Sequence, residues 1–425
     1  MTAAAGPDFP ALVATCEARG PEAMLAELAA SLTARGRWHA LFDLRMVEAR
    51  LRLGLPLSGD VGPLDESRRE RLDELSLAAC REVGWPLIEA GQVAAAWMYL
   101  RAAAAPEEVA TRLAAVAARL VPPGDEPARD EPAGDGACGD DADDEESQRL
   151  GQEILGVALW ESLDPALGIG LVLRTQGTCN AVTAYEQAVS RLPAVRQAPA
   201  ARVLVEHLHA EIVRNLGFDL GQRGIDTAAA AAAATPLVAL LEAGGGLADD
   251  PSIHVDVSHL QAVLRIARVC DDEPTLRRAW ELASYACRLP ADVVYPGEPP
   301  FEQVGPASRL FFGAQLGRDV AEAIAFFRRA AATAEPLEAG TLPADTLVLL
   351  LHRLGRDAEA LQAAVDRPRE GGAPSAMQAA GLLPSLVDLA ASSGRWEVLL
   401  DACRRHGDEI TFAAAVASRA AAAKP

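Results

Sequence analysis

Residues 307–330 read ASRLFFGAQLGRDVAEAIAFFRRA, and their pattern decides the fold class. Two helix-forming stretches, 307–316 and 319–334, meet at Gly317. Glycine is the usual terminator of a helix because it enters the left-handed region without steric cost. The same arrangement recurs as GRWHALFDLRMVEAR from Gly36, GQVAAAWMYLRAAA from Gly91, GRDAEALQAAV from Gly355 and GRWEVLLDACRRH from Gly394. One helical hairpin cannot bury its own apolar face, whereas stacked hairpins share one.

Composition agrees with a helical chain. Half of the 425 residues are hydrophobic, many of them alanine, which loses no side-chain entropy in a helix. Aromatic residues make up 4%, and no alternating β-branched run argues for a large sheet. The net charge of −21 disfavours nucleic acid and anionic membrane as partners, since each demands a concentrated basic face. MTAAAGPDFPALVATCEARG at the N-terminus has no basic region ahead of an apolar core, so no signal peptide is expected. No apolar run approaches the ~20 residues of a membrane span. Seven scattered cysteines without a CxxC pattern suggest a reduced, cytoplasmic protein.

Residues 122–147, PPGDEPARDEPAGDGACGDDADDEES, hold eleven carboxylates against Arg129 alone and supply ten of the 21 excess negative charges. Such a segment buries too little to offset its ordering entropy, so a disordered acidic linker is expected. It separates a helical unit at 8–121 from a longer helical run at 148–425. Asp65 is the expected N-cap of a helix at 66–82, and a further helix is expected at 92–119. Beyond the linker the expected helices include 148–161, 178–191, 199–216, 257–270, 274–288 and 375–393. The 290–306 connection is long and proline-rich.

The glycine-led hairpins resemble tetratricopeptide (TPR) repeats. Ala323, Phe327 and Ala330 sit at the small, bulky and small positions of the second helix, and Leu310 at the leucine position of the first. Pro336 lies near the closing proline. Ala96 and Ala103 match the early hairpin around Leu100, and Ala360 matches the hairpin at Gly355, where Arg367 takes the last position. Leu41 and Leu399 replace the early alanine in the first and last hairpins, and spacing between units departs from the regular period of ~34. The resemblance implies an all-α, TPR-like α-solenoid of stacked hairpins in two parts, whose concave face binds a protein or peptide partner without any cofactor.

Four of the seven histidines fall in Glu206-His207-Leu208-His209-Ala210-Glu211 and His254-Val255-Asp256-Val257-Ser258-His259. His209, His254, Asp256 and His259 are the candidate ligands for Zn²⁺ or a similar ion, with Glu211 as the candidate base. His207 and His209 point ~200° apart on a regular helix, so one of that pair at most could contribute. Asp256 or Ser258 can instead cap the helix that follows. Asp140, Asp141 and Asp144 spell DDxxD inside the acidic run. Cys179 lies near a helix start, where a thiol pKa falls. Tyr295, Glu298, Phe301 and Glu302 form a candidate lid or contact loop. The six tryptophans are expected in the core.

The expectation drawn from all this is a non-catalytic scaffold or protein–protein interaction module using the concave face of 148–425. A metal-dependent hydrolase on the 207–259 cluster and an (α/α) toroid acting on carbohydrate are the alternatives.

Overall fold

The computed structural model describes residues 8–120, 141–245, 253–334, 340–367 and 375–422, without the side chains of 141–144. Among them the regular structure is entirely helical, with 21 α-helices, a few π and 3-10 turns and no strand. The protein is therefore all-α. No helix of the described residues is long and apolar enough to cross a membrane. The chain divides into two compact units, Met1–Arg174 and Thr175–Pro425.

The first unit contains α1 (Phe9–Arg19), α2 (Pro21–Ala34), α3 (Trp38–Arg52), α4 (Glu66–Glu89), α5 (Val93–Ala103), α6 (Pro106–Leu120) and α7 (Asp141–Leu155). Consecutive helices pack side by side through two apolar clusters. Leu25, Ala29, Leu32, Leu41, Leu44 and Val83 join α2, α3 and α4. Leu87, Val93, Leu100, Val109, Leu113 and Ile154 join α4, α5, α6 and α7. Gly84 lets α4 and α5 come close, since a Cβ there would stand 2.5 Å from Leu100 Cγ. Asp65 caps α4 through the N–H of Arg68, as expected. The helix then runs on through Pro86 to Glu89, beyond the expected end at 82. The single helix expected at 92–119 is split in two, because Pro106 begins a new helix rather than continuing the old one.

The boundary between the units differs from the one the acidic run suggested. Residues 122–140 lie outside the described residues, but 141–147 form the first turns of α7. That helix packs on α5 and α6 and puts Ile154 into their core. The first unit therefore extends to Arg174. A π turn at Gly156–Trp160 follows α7, and it leaves Trp160 55% exposed, contrary to the expected core position.

α8 (Pro165–Ala184) carries the chain across the boundary and leaves helical geometry at Gly177 (φ 80°, ψ 177°). The second unit continues with α9 (Ala194–Gln222), α10 (Ala228–Ala231), α11 (Pro236–Ala243), α12 (Val257–Ile266), α13 (Glu273–Ala286), α14 (Val304–Gln315) and α15 (Val320–Thr333). It ends with α16 (Leu342–Arg353), α17 (Asp357–Val365), α18 (Ala376–Ala379), α19 (Leu386–Ser393), α20 (Trp396–His406) and α21 (Glu409–Ala422). α13 packs on α14, α14 on α15, α15 on α16 and α16 on α17, and the chain continues through α19, α20 and α21.

Gly36, Gly91, Gly317, Gly355 and Gly394 all adopt positive φ, between 63° and 77°, at the joints between paired helices. Ala96, Ala323, Phe327 and Ala360 are fully buried. Ala330 is only half-buried, and Pro336 lies outside the described residues.

Candidate functional site

The histidine-rich segments come from α9 and from the turn leading into α12, and His209, His254 and Asp256 have different partners. His209 lies on the apolar side of α9 and is buried. Its Nε2 stands 3.3 Å from Oε1 of Glu281 on α13, close enough for electrostatic pairing but poorly aligned for a hydrogen bond. Glu281 is 1% exposed. A carboxylate so deeply buried requires compensation. It obtains it at the start of α11, where Oε2 accepts from the N–H of Leu237 at 2.8 Å and of Val238 at 3.4 Å. Thr235, the residue in the N-cap position, makes no capping bond of its own. The glutamate from α13 therefore satisfies orphan donors of α11 and meets the positive end of its dipole.

His254 is held elsewhere. Its backbone N–H donates to the Tyr285 hydroxyl at 3.1 Å, and its Nδ1 lies 3.2 Å from the same oxygen. Its Nε2 is 3.5 Å from Asp219 Oδ2, and its carbonyl accepts from Asn215. Tyr285 is fully buried, so this network ties the segment before α12 to α9 and α13. Asp256 is the N-cap of α12, accepting from the N–H and the hydroxyl of Ser258. Those bonds, led by the Ser258 hydroxyl, hold its carboxyl below the usual carboxylate range. His259 sits half-buried in the first turn of α12. His207 faces Thr178 Oγ1 at 3.2 Å and Glu211 at 3.8 Å.

The four candidate ligands His209, His254, Asp256 and His259 are divided between α9 and the start of α12. Among the described residues no group of three or more His, Cys, Asp or Glu is arranged to hold a metal ion. His209 pairs with a carboxylate and His254 with a tyrosine, while Asp256 caps the helix in whose first turn His259 lies beside it. The DDxxD motif lies outside the description, since Asp140 and the side chains of Asp141 and Asp144 are not included. Cys179 is exposed just after the break at Gly177.

The 290–303 connection turns one of its four candidate residues inward. Phe301 is buried rather than displayed, and packs against Phe311 and Phe327 with ring centroids 6.0 and 5.7 Å apart. The Arg268 guanidinium stacks on its other side, 3.3 Å from the ring centroid. Burial drives that guanidinium well below its ordinary pKa, aided by Arg265 and opposed by Glu298. Gln261 exchanges hydrogen bonds with the backbone of Tyr295, whose ring is 65% exposed. Glu298 and Glu302 are also exposed. The segment is stitched to α12, α14 and α15, and Tyr295, Glu298 and Glu302 are what it offers outward.

Two clefts lie within the second unit. One, of about 580 Å³, has His209 and Glu281 in its wall, with Glu206, Arg277 and Arg278 also lining it. Arg278 is paired with Glu206 at 3.2 Å. The other, of about 660 Å³, is lined by residues of α9, α13, α14 and α16, Arg353 among them. Glu281, Asp219, Tyr285 and Arg353 had no place in the sequence reading. The one local signal was Glu281 as a lone charge in the apolar run AWELASYA.

No family model, no curated protein and no solved structure matches this chain.

Proposed function

We propose that this chain is a non-catalytic interaction module, a TPR-like solenoid whose second unit presents the surface that a protein partner reads. The observation that carries this reading is the repeated joint. Five glycine-led turns with left-handed backbone connect helix pairs, and the small residues Ala96, Ala323 and Ala360 are wholly buried inside them. Stacked pairs of this kind spend their apolar faces on one another and leave extended walls for recognition. The chemistry of the histidine segments supports the same reading. His209, His254 and Asp256 are engaged by Glu281, Tyr285 and Ser258 in roles that hold helices together. The module acts in the cytoplasm and needs no cofactor.

The test uses the full chain with a photo-crosslinking amino acid at Phe218 or Tyr295, both exposed. Irradiation in lysate of the source organism yields a discrete adduct identified by mass spectrometry, and freshly purified protein carries no stoichiometric metal. Bound Zn, Mn or Fe that disappears in the His254→Ala/His259→Ala double variant would overturn the proposal in favour of a metal-dependent hydrolase. Failure of either position to give an adduct would also count against it.

A further inference from the structure

We infer that the cleft at Arg353 is a binding site for a small aliphatic carboxylate. The argument begins with the hydrogen-bonding inventory of one guanidinium, which has five N–H donors in a fixed plane. Nη1 of Arg353 donates to Cys270 O at 2.9 Å and to Gln315 Oε1 at 3.1 Å, and Nη2 donates to Val269 O at 3.2 Å. These three bonds leave the Nε hydrogen and the second Nη2 hydrogen. An Nε hydrogen and the Nη2 hydrogen beside it make up the edge of a guanidinium that matches the two oxygens of a carboxylate.

Among the described residues no side chain is paired with that edge. The other basic groups of the cleft are already paired, Arg202 with Asp272 at 3.1 Å and His352 Nδ1 with Asp357 at 2.8 Å. Asp271 also lines the cleft, but it acts on Arg353 only through space, without a hydrogen bond. Burial pulls the guanidinium below its ordinary pKa, the mark of a cation short of compensation. Arg353 itself lines the cleft, and among the described residues its Nε carries no hydrogen bond.

Apolar side chains share the wall with these polar groups. Val195, Ala198, Leu276, Leu349 and Leu382 line the cleft beside Arg353, and Val195 is 79% exposed. A volume of about 660 Å³ falls in the range of small-molecule sites, which combine apolar walls with a few fixed polar groups. A ligand that satisfies both parts carries one carboxylate and a short hydrocarbon body. This inference concerns a ligand distinct from the protein partner and does not depend on that reading.

The experiment is calorimetric titration of the full chain with hexanoate, with hexan-1-ol and inorganic phosphate as controls. Saturable binding of hexanoate at one site, with none of hexan-1-ol, is the expected result. Arg353→Lys keeps the charge but loses the fork, and weakens hexanoate about tenfold. Val195→Asp places a rival carboxylate in an exposed position that does not disturb folding, and abolishes binding. Asp271→Asn removes the distant repulsion and tightens binding about threefold. Circular dichroism confirms that each variant is folded. The inference is overturned if hexanoate does not bind, if Val195→Asp leaves its affinity unchanged, or if inorganic phosphate displaces it at equal concentration. Hexanoate binding is read without any partner protein, so its failure and the failure to form a crosslinked adduct are separate results.

Discussion

Each unit contains a helix whose own N-cap residue makes no capping bond and whose first turn is served instead by a glutamate from far along the chain. In the first unit Glu153 of α7 accepts from the N–H of Ala94 at 3.0 Å, at the start of α5, where Gln92 makes no capping bond. In the second unit Glu281 of α13 does the same for Leu237 and Val238 of α11. Glu153 is half-buried at the surface, whereas Glu281 is almost wholly buried beside His209 in the wall of a cleft. The pair teaches that one device can be an accessory or a keystone according to how much water reaches it. At the surface, solvent replaces the lost acceptor. In the interior nothing does, and two helices besides its own rely on one carboxylate.

Substitutions sharpen that contrast. Glu281→Ala strands the first N–H groups of α11 and leaves His209 without its counter-group, and should cost about 3–4 kcal/mol of stability. Chemical denaturation monitored by circular dichroism measures it, and a loss below 1 kcal/mol would break the comparison. Glu281→Gln keeps an acceptor for the backbone but not the charge, and should fall between, at about 1–2 kcal/mol.

A third, purely local cap adds pH to the comparison. Asp256 caps α12 from the adjacent position, and its carboxyl pKa is depressed in the folded chain, chiefly by the Ser258 hydroxyl. A depressed pKa means the unfolded chain binds the proton first. The stabilisation is complete well above the ordinary carboxylate value of about 4 and is lost as pH falls through the lower folded value. Asp256→Ala should therefore cost about 1 kcal/mol at pH 7 and progressively less below about pH 4, read from paired denaturation curves. Glu153→Ala is the smallest effect, about 0.5 kcal/mol or less, since water takes the place of its oxygen. A cost for Glu153→Ala equal to that for Glu281→Ala would erase the distinction between the two units.

The local cap was readable in the sequence and the distant ones were not, and the division is physical. Asp65 and Asp256 act within three residues, so a turn signal beside a periodic apolar run suffices to find them. The glycine joints are equally local, and each of the five has the left-handed backbone its position required. Glu281 stands as a lone charge in the apolar run AWELASYA, which by itself names no partner. Only the packing of α9, α11 and α13 around it reveals the burial, and the relevant neighbours lie 44 residues away at Leu237. The histidines were grouped by their density along the chain, and tertiary packing gives His209 and His254 different partners. Arg353 is a similar case, since its backbone acceptors at Val269 and Cys270 stand 84 and 83 residues away. Trp160 was expected in the interior from helical spacing among apolar neighbours, and the π turn that carries it changes that angular spacing.

Phe301 carries a mechanical implication. Its ring is seated between Arg268 and the phenyl groups of Phe311 and Phe327, so the long connection ahead of α14 cannot be tugged without dragging those neighbours along. A pull applied at Tyr295 would be shared with α12 through Gln261 and with α14 and α15 through that ring. What looks like slack between two rods therefore behaves as a tensioned strut, and a molecule gripping Tyr295 would be holding the frame of the second unit rather than a dangling strap.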